Sequence, residues 1–158
     1  MNITIISVGT LKEKYLSDAV SEYQKRLSQY ARVEQIHIKE EKIKDEDDKS
    51  EVRRALELEG EKILAAVPRD SVKVALCVEG REYDSISLAR LIERYGDGVG
   101  KLTFIIGSSH GLSDAVKSAS DEKLSVSALT FPHQLMRVIL MEALYRSMTI
   151  IAGKRYHK

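Results

Sequence analysis

The chain has 158 residues, 43% hydrophobic and 31% charged, with a formal net charge of +1. That balance predicts one globular domain, residues 1–158, and excludes both a disordered polyelectrolyte and a protein that binds a polyanion by bulk charge alone. A single cysteine, Cys77, excludes an internal disulfide and fits the cytoplasm, while no apolar run is long enough for a membrane span and the start lacks the marks of a signal peptide.

The elements follow in order. Asn2–Val8 is a short β-rich run ending at Gly9, read as a buried strand. Tyr15, Leu16, Ala19, Val20, Tyr23, Leu27 and Tyr30 recur at helical spacing. Residues 33–38 form a second strand. Residues 39–51 hold one large apolar side chain, Ile43, and read as an exposed, mobile loop. Val52, Leu56, Ile63 and Leu64 mark a helix that ends near Pro68 and Asp70. A strand at 72–78 is closed by Glu79 and Gly80. Asp84 or Ser85 caps a helix carrying Ile86, Leu88, Leu91 and Ile92, broken by Gly96, Gly98 and Gly100. Residues 102–106 are apolar except for Thr103, as in a central strand covered on both faces. A turn at 107–111 leads to a short helix capped by Ser113, then to a weak strand at 123–126. Pro132 suits the first turn of the final helix, because its missing N–H has no partner there, and Gly153 ends that helix. This alternation predicts an α/β domain with a mainly parallel sheet flanked by helices.

In such sheets ligands sit beyond the carboxyl ends of the strands. The loop after the most apolar strand reads Gly107-Ser108-Ser109-His110-Gly111; its glycines permit close backbone approach, yet it matches neither a P-loop nor a dinucleotide fingerprint. Taken alone it reads more simply as a plain turn. The run Ser127, Ala128, Leu129, Thr130, Phe131, Pro132 is uncharged and mixes hydroxyls with apolar side chains. It suits the wall of an adenine and ribose site, or else a buried loop with Thr130 as the helix cap. His110, His133 and His157 fall in this half, but no His, Cys or carboxylate spacing makes a metal site. Cys77 reads as a small core residue, and His37 carries no assigned role. Residues 132–158 hold five Lys and Arg against one acid, Glu142, which is either a phosphate footprint or a solvated helix end.

The joint order of these features resembles the bacterial ribosomal large-subunit pseudouridine N3-methyltransferases, within the SPOUT class of RNA methyltransferases. The matching residues are Ile5 to Gly9 with Leu11-Lys12, Glu59-Gly60-Glu61 before Ile63-Leu64, and 104–112. They continue with the Ser-Ala-Leu-Thr-Phe-Pro-His-Gln-Leu-Met-Arg run 127–137, the Glu-Ala-Leu-Tyr-Arg run 142–146 and the closing Tyr156-His157-Lys158. The similarity runs over essentially the whole chain. One departure is Ser108, where the family usually has a second glycine.

The resemblance implies a C-terminal trefoil knot, a homodimer, and S-adenosylmethionine as methyl donor. It places the cofactor at Leu76, Gly107, Ser108, Ser127, Ala128, Leu129, Thr130, Phe131 and Pro132. The implied substrate is a pseudouridine of large-subunit ribosomal RNA, within an assembled ribosome. Transfer to a ring imide nitrogen needs its proton removed, which makes Arg155 or His157 from the tail, and His133 beside the pocket proline, the expected charge or proton handlers, with Tyr156 stacking on the base. Two rivals stand beside this reading. A nicotinamide enzyme would need an acidic ribose ligand about twenty residues beyond a glycine fingerprint, and no such arrangement is present. A non-enzymatic ribosome-binding or assembly factor would share the basic tail without needing a cofactor pocket.

Overall fold

A computed structural model describes residues 1–157; Lys158, the last residue of the closing Tyr-His-Lys run, lies outside the described residues. Ten elements alternate along the chain: β1 (Asn2–Val8), α1 (Lys14–Leu27), β2 (Arg32–Ile38), α2 (Lys49–Ala66), β3 (Val72–Glu82), α3 (Ser85–Gly98), β4 (Lys101–Ile106), α4 (Asp114–Ala119), β5 (Glu122–Ser125) and α5 (His133–Ile151). All five strands are parallel, in the order β2-β1-β4-β3-β5.

The apolar runs of β1 and β4 explain their central place. Ile3, Ile5, Leu102 and Phe104 point into one layer with Val20, Leu88, Ile92, Leu140 and Leu144, from α1, α3 and α5. Ile6, Val8 and Ile105 point to the other face, against Ile63 of α2 and Val116 of α4. A strand buried on both faces needs no polar alternation, which is why these segments read as largely apolar, with small hydroxyl residues Thr4, Ser7 and Thr103 buried among them.

Four expectations shift. The charged loop ends earlier than 51: Asp48 caps α2, accepting the amides of Ser50 and Glu51, and Glu51 reaches back to accept those of Lys44 and Asp45. Gly80 does not close β3, which continues to Glu82 with a register shift between Leu76 and Arg81 against β5. Gly96 does not break α3; the Met1 side chain occupies the space where its Cβ would stand, and the helix runs on to Gly98. Pro132 stands at the cap position of α5, with His133 as the first helical residue. Asp84 caps α3 and Ser113 caps α4 through the amides of Ser87 and Val116.

Candidate active site

The carboxyl ends of β3, β4 and β5 open onto a cavity of about 800 Å³. Three loops wall it, and each of them stands out in the sequence. From β3 come Leu76 to Glu79, from the turn after β4 Gly107 to Leu112, and from the segment after β5 most of 124–133.

The β4 turn is shaped by backbone crowding. A Cβ on Gly107 would run into the Gly111 carbonyl, so only glycine lets the turn close. The Gly111 amide donates to the Ser108 carbonyl at 3.0 Å, and Gly111 itself sits at φ +91°, in the left-handed region. From behind, α2 presses on this turn: a Cβ on Gly60 would collide with the Ser113 side chain. Glu59, one residue earlier, is buried. Its Oε1 accepts the Glu41 amide at 2.9 Å, while Oε2 has no partner, and burial pushes its pKa up despite that amide and the nearby Ser108 hydroxyl.

The second wall is held by short-range hydrogen bonds. Ser125 donates its hydroxyl to the Ser127 carbonyl at 3.3 Å, and Ser127 Oγ accepts the Leu129 amide at 3.0 Å. Leu129 is 71% exposed at the rim, an apolar side chain with no partner of its own in the fold. A cavity with apolar walls and free backbone edges is what an adenine nucleoside with an alkyl sulfonium chain requires. The residues present therefore fit S-adenosylmethionine: Leu76, Leu129 and Phe131 for apolar contact, Gly107 and Ser108 for close backbone approach.

Of the residues named from sequence, Leu76, Gly107, Ser108, Ser127, Leu129, Thr130, Phe131, Pro132 and His133 all line this one cavity. Ala128 stands exposed and outside its lining. Thr130 lies on the wall and is not the helix cap. Cys77, His110, Lys117 and Met136 line the cavity as well. Only their membership of the same loops and helices pointed to them. Burial, with Glu79 adding to it, pushes the Cys77 thiol pKa up. Lys117 is engaged with Glu79 at 2.5 Å.

His133 is the one proton-handling candidate that reaches the cavity within a single chain. Burial lowers its pKa, with Arg137 and Lys12 acting in the same direction and Glu40 opposing. The imidazole is therefore neutral near pH 7 and able to accept a proton. Below it Arg137 is buried, 2% exposed, and its Nη2 donates to the carbonyls of Val8 and Gly9 at 2.7 and 2.9 Å.

The tail lies elsewhere. The 19 residues of α5 carry the chain roughly 28 Å from the cavity at 1.5 Å per residue. The tail then turns back, so that Tyr156 lies against the middle of α5, with Glu142 only about 14 Å along the helix from His133. Tyr156 packs edge-on against Tyr145, sits under the Arg146 guanidinium at 4.8 Å, and donates its hydroxyl to Glu142 at 3.3 Å. Burial, then Tyr23 and Glu142, push its phenol pKa up to about 12, so this hydroxyl stays a donor. Arg155 and His157 are exposed beside it. Among the described residues no group of three or more His, Cys, Asp or Glu is placed to hold a metal ion, and no helix is long and apolar enough to cross a membrane.

Fold and cavity together define an α/β protein with an open cavity at the carboxyl edge of a parallel sheet, where ligands of such folds sit. Comparison with known proteins is more specific. Residues 1–157 match the family described as "Predicted SPOUT methyltransferase". The chain is 48% identical to the ribosomal RNA large subunit methyltransferase H of Shouchella clausii and 45% identical to that of Bacillus pumilus, each over the full length of both proteins. Among solved structures it is similar to a "probable methylase family protein" from Haemophilus influenzae, with a TM-score of 0.54 and 13% identity, covering 99% of this chain and 70% of that one. At that identity the last likeness speaks to fold alone. The chain belongs to the SPOUT methyltransferase family, and it is an enzyme.

Proposed function

We propose that this enzyme transfers a methyl group from S-adenosylmethionine to N3 of a pseudouridine in large-subunit ribosomal RNA, acting as a homodimer on the assembled ribosome. The observation that carries the reading is the cavity at 107–112 and 124–133, with neutral His133 at its edge, in a chain whose full-length relatives bear ribosomal RNA methyltransferase names. S-adenosylmethionine, when bound, supplies a methyl group on a sulfonium, which an in-line nucleophile can displace.

Positioning then provides much of the acceleration. The Gly107 and Ser108 backbone and the Leu129 and Phe131 side chains orient the donor and exclude water. His133 accepts the imide proton as the ring nitrogen becomes nucleophilic. Arg155 and His157 compensate the charge that develops on the ring, and Tyr156, held protonated, stacks on or orients the base. Because the tail leaves its own chain's cavity behind, these last three act in the partner subunit's site.

The knot implied by the family resemblance belongs to this proposal. β3 and β5 are parallel neighbours packed so closely that a Cβ on Gly80 would lie 2.6 Å from the Leu124 carbonyl carbon. The test of the activity is mass spectrometry of ribosomal RNA after incubating ribosomes with the protein and isotopically labelled S-adenosylmethionine. One labelled methyl on a pseudouridine of the large-subunit RNA is expected. Tight ribosome binding with no methyl transfer would favour the assembly-factor reading instead.

A further inference from the structure

A second hollow, of about 350 Å³, lies on the other side of His133. Its walls are the carboxyl ends of β1 and β2 and the start of α5, contributing Gly9, Thr10, Lys12, residues 37–40 and Gln134. His133 is the one residue that lines both hollows. The two spaces therefore meet across a single imidazole.

The floor of this hollow is an unfilled spot beside Gly9. Gly9 sits at φ +81°, where a side chain is strained, so the position stays open. The point its Cβ would occupy lies 3.5 Å from Glu40 Oε2, 3.8 Å from Arg137 Nη2 and 3.9 Å from His133 Nε2. An anionic oxygen, a cationic nitrogen and an imidazole nitrogen thus surround one vacant point. Arg137 has spent Nη2 on two backbone carbonyls, and its buried Nε and Nη1 have no partner. Among the described residues Glu40, Lys12 and Lys39 form no side-chain hydrogen bond and no ion pair. The backbone here is fixed, however, since the Lys12 amide donates to Gln134 Oε1 at 3.1 Å and ties the end of β1 to α5.

This is not a general anion site, because Glu40 opposes a free phosphate at the floor. The arrangement instead matches a ligand that is neutral and N–H-bearing at one end and anionic at the other. The volume equals that of about a dozen waters at roughly 30 Å³ each, space for one base and sugar but not for a duplex.

We propose that this hollow seats the RNA nucleotide to be methylated, with Glu40 accepting a ring N–H and Lys12 and Lys39 holding the flanking phosphates. The imide edge of the base then lies beside His133, at the wall the two hollows share, where it can meet the donor directly. The assignment rests on the RNA methyltransferase reading and gives that reading its acceptor subsite. A structural alternative exists for Glu40, which is also the carboxylate that opposes the loss of charge on buried Arg137. No such role exists for the two lysines.

The experiment is steady-state methylation of ribosomes lacking the modification, at several salt concentrations, by the wild type, the Lys12→Ala/Lys39→Ala double variant and Glu40→Ala. S-adenosylmethionine titration by calorimetry and thermal melts accompany it. The double variant is expected to keep its melting temperature and cofactor Kd within twofold of wild type, while KM for ribosomes rises at least tenfold. Its salt dependence should weaken by about 0.7 in the log–log slope for each phosphate that is no longer neutralised. Glu40→Ala should lose kcat/KM at least tenfold with cofactor affinity retained. A double variant with wild-type KM and wild-type salt slope overturns the proposal, whatever Glu40→Ala does. If the wild type transfers no methyl to ribosomes, the function proposed above fails, and this subsite with it.

Discussion

Glu59 and two histidines, His37 and His133, titrate with opposite consequences for stability. Glu59 is raised above its ordinary value by burial, with Glu40 and Glu41 adding to the effect. In the folded chain it therefore holds its proton at pH values where the unfolded chain has released one. The stability this group contributes is full below its unfolded value near 4.5 and is lost as pH rises through the folded value. Glu59→Gln keeps an acceptor for the Glu41 amide while removing the buried charge. It is expected to raise stability by about 1 kcal/mol or more at pH 7.5 and to change little near pH 4, a difference that paired calorimetric melts would read. His37 and His133 are lowered, chiefly by burial. Their contribution is present above the unfolded value near 6.5 and lost as pH falls through the folded values. Activity that depends on a neutral His133 should fall over the same acidic range. His133→Ala should reduce kcat by about 10²- to 10⁴-fold with cofactor affinity retained, if the imidazole is the proton acceptor.

Elements were far more legible than their arrangement. The central strands and the longer helices are legible from periodicity, because a buried strand is apolar on both faces and a covering helix on one; the short helix rests on its Ser113 cap, and the four-residue β5 reads only as a weak strand. What the sequence could not disclose is which elements lie side by side. Gly80 illustrates the gap. In a linear reading a glycine after an apolar run is a turn. In the fold it is the point where β3 passes β5 so closely that a Cβ would stand 2.6–2.7 Å from the backbone of residues 123–125. His37 is a second case. Along the chain it is remote from every loop of interest, yet the parallel pairing of β1 and β2 brings it to the same hollow as His133. Ser127 to Pro132 was legible only as an uncharged run before a helix, and cofactor chemistry entered through the resemblance of the whole order of motifs. Gly80→Ala tests this close packing. Overpacking against backbone costs about 1–3 kcal/mol. Because residues 124–127 continue into the cavity wall, the variant should also lose S-adenosylmethionine affinity by calorimetry. Unchanged melting and unchanged affinity would show that this packing has slack.

At the scale of the whole molecule two places on α5 pose one problem. Its first residue, His133, stands at the cavity, and the tail beyond its end turns back to set Tyr156 against Tyr145, Glu142 and Arg146 in mid-helix, about 14 Å or more away. A rigid helix holds these groups apart, so a site that needs both must draw them from two chains. That requirement makes a prediction that subunit mixing can check. One variant lacks residues 155–158 and keeps its cavity; the other carries His133→Ala and keeps its tail. Each alone should bind ribosomes poorly or turn over slowly, with methylation reduced at least a hundredfold. In mixed dimers the intact cavity of the first meets the intact tail of the second, so one complete site re-forms. Co-refolded mixtures should then recover methylation in proportion to the fraction of mixed dimers, up to about half the wild-type rate per dimer. If the tail served its own chain, no mixed dimer would contain a complete site, and the mixture would stay as inactive as its parts.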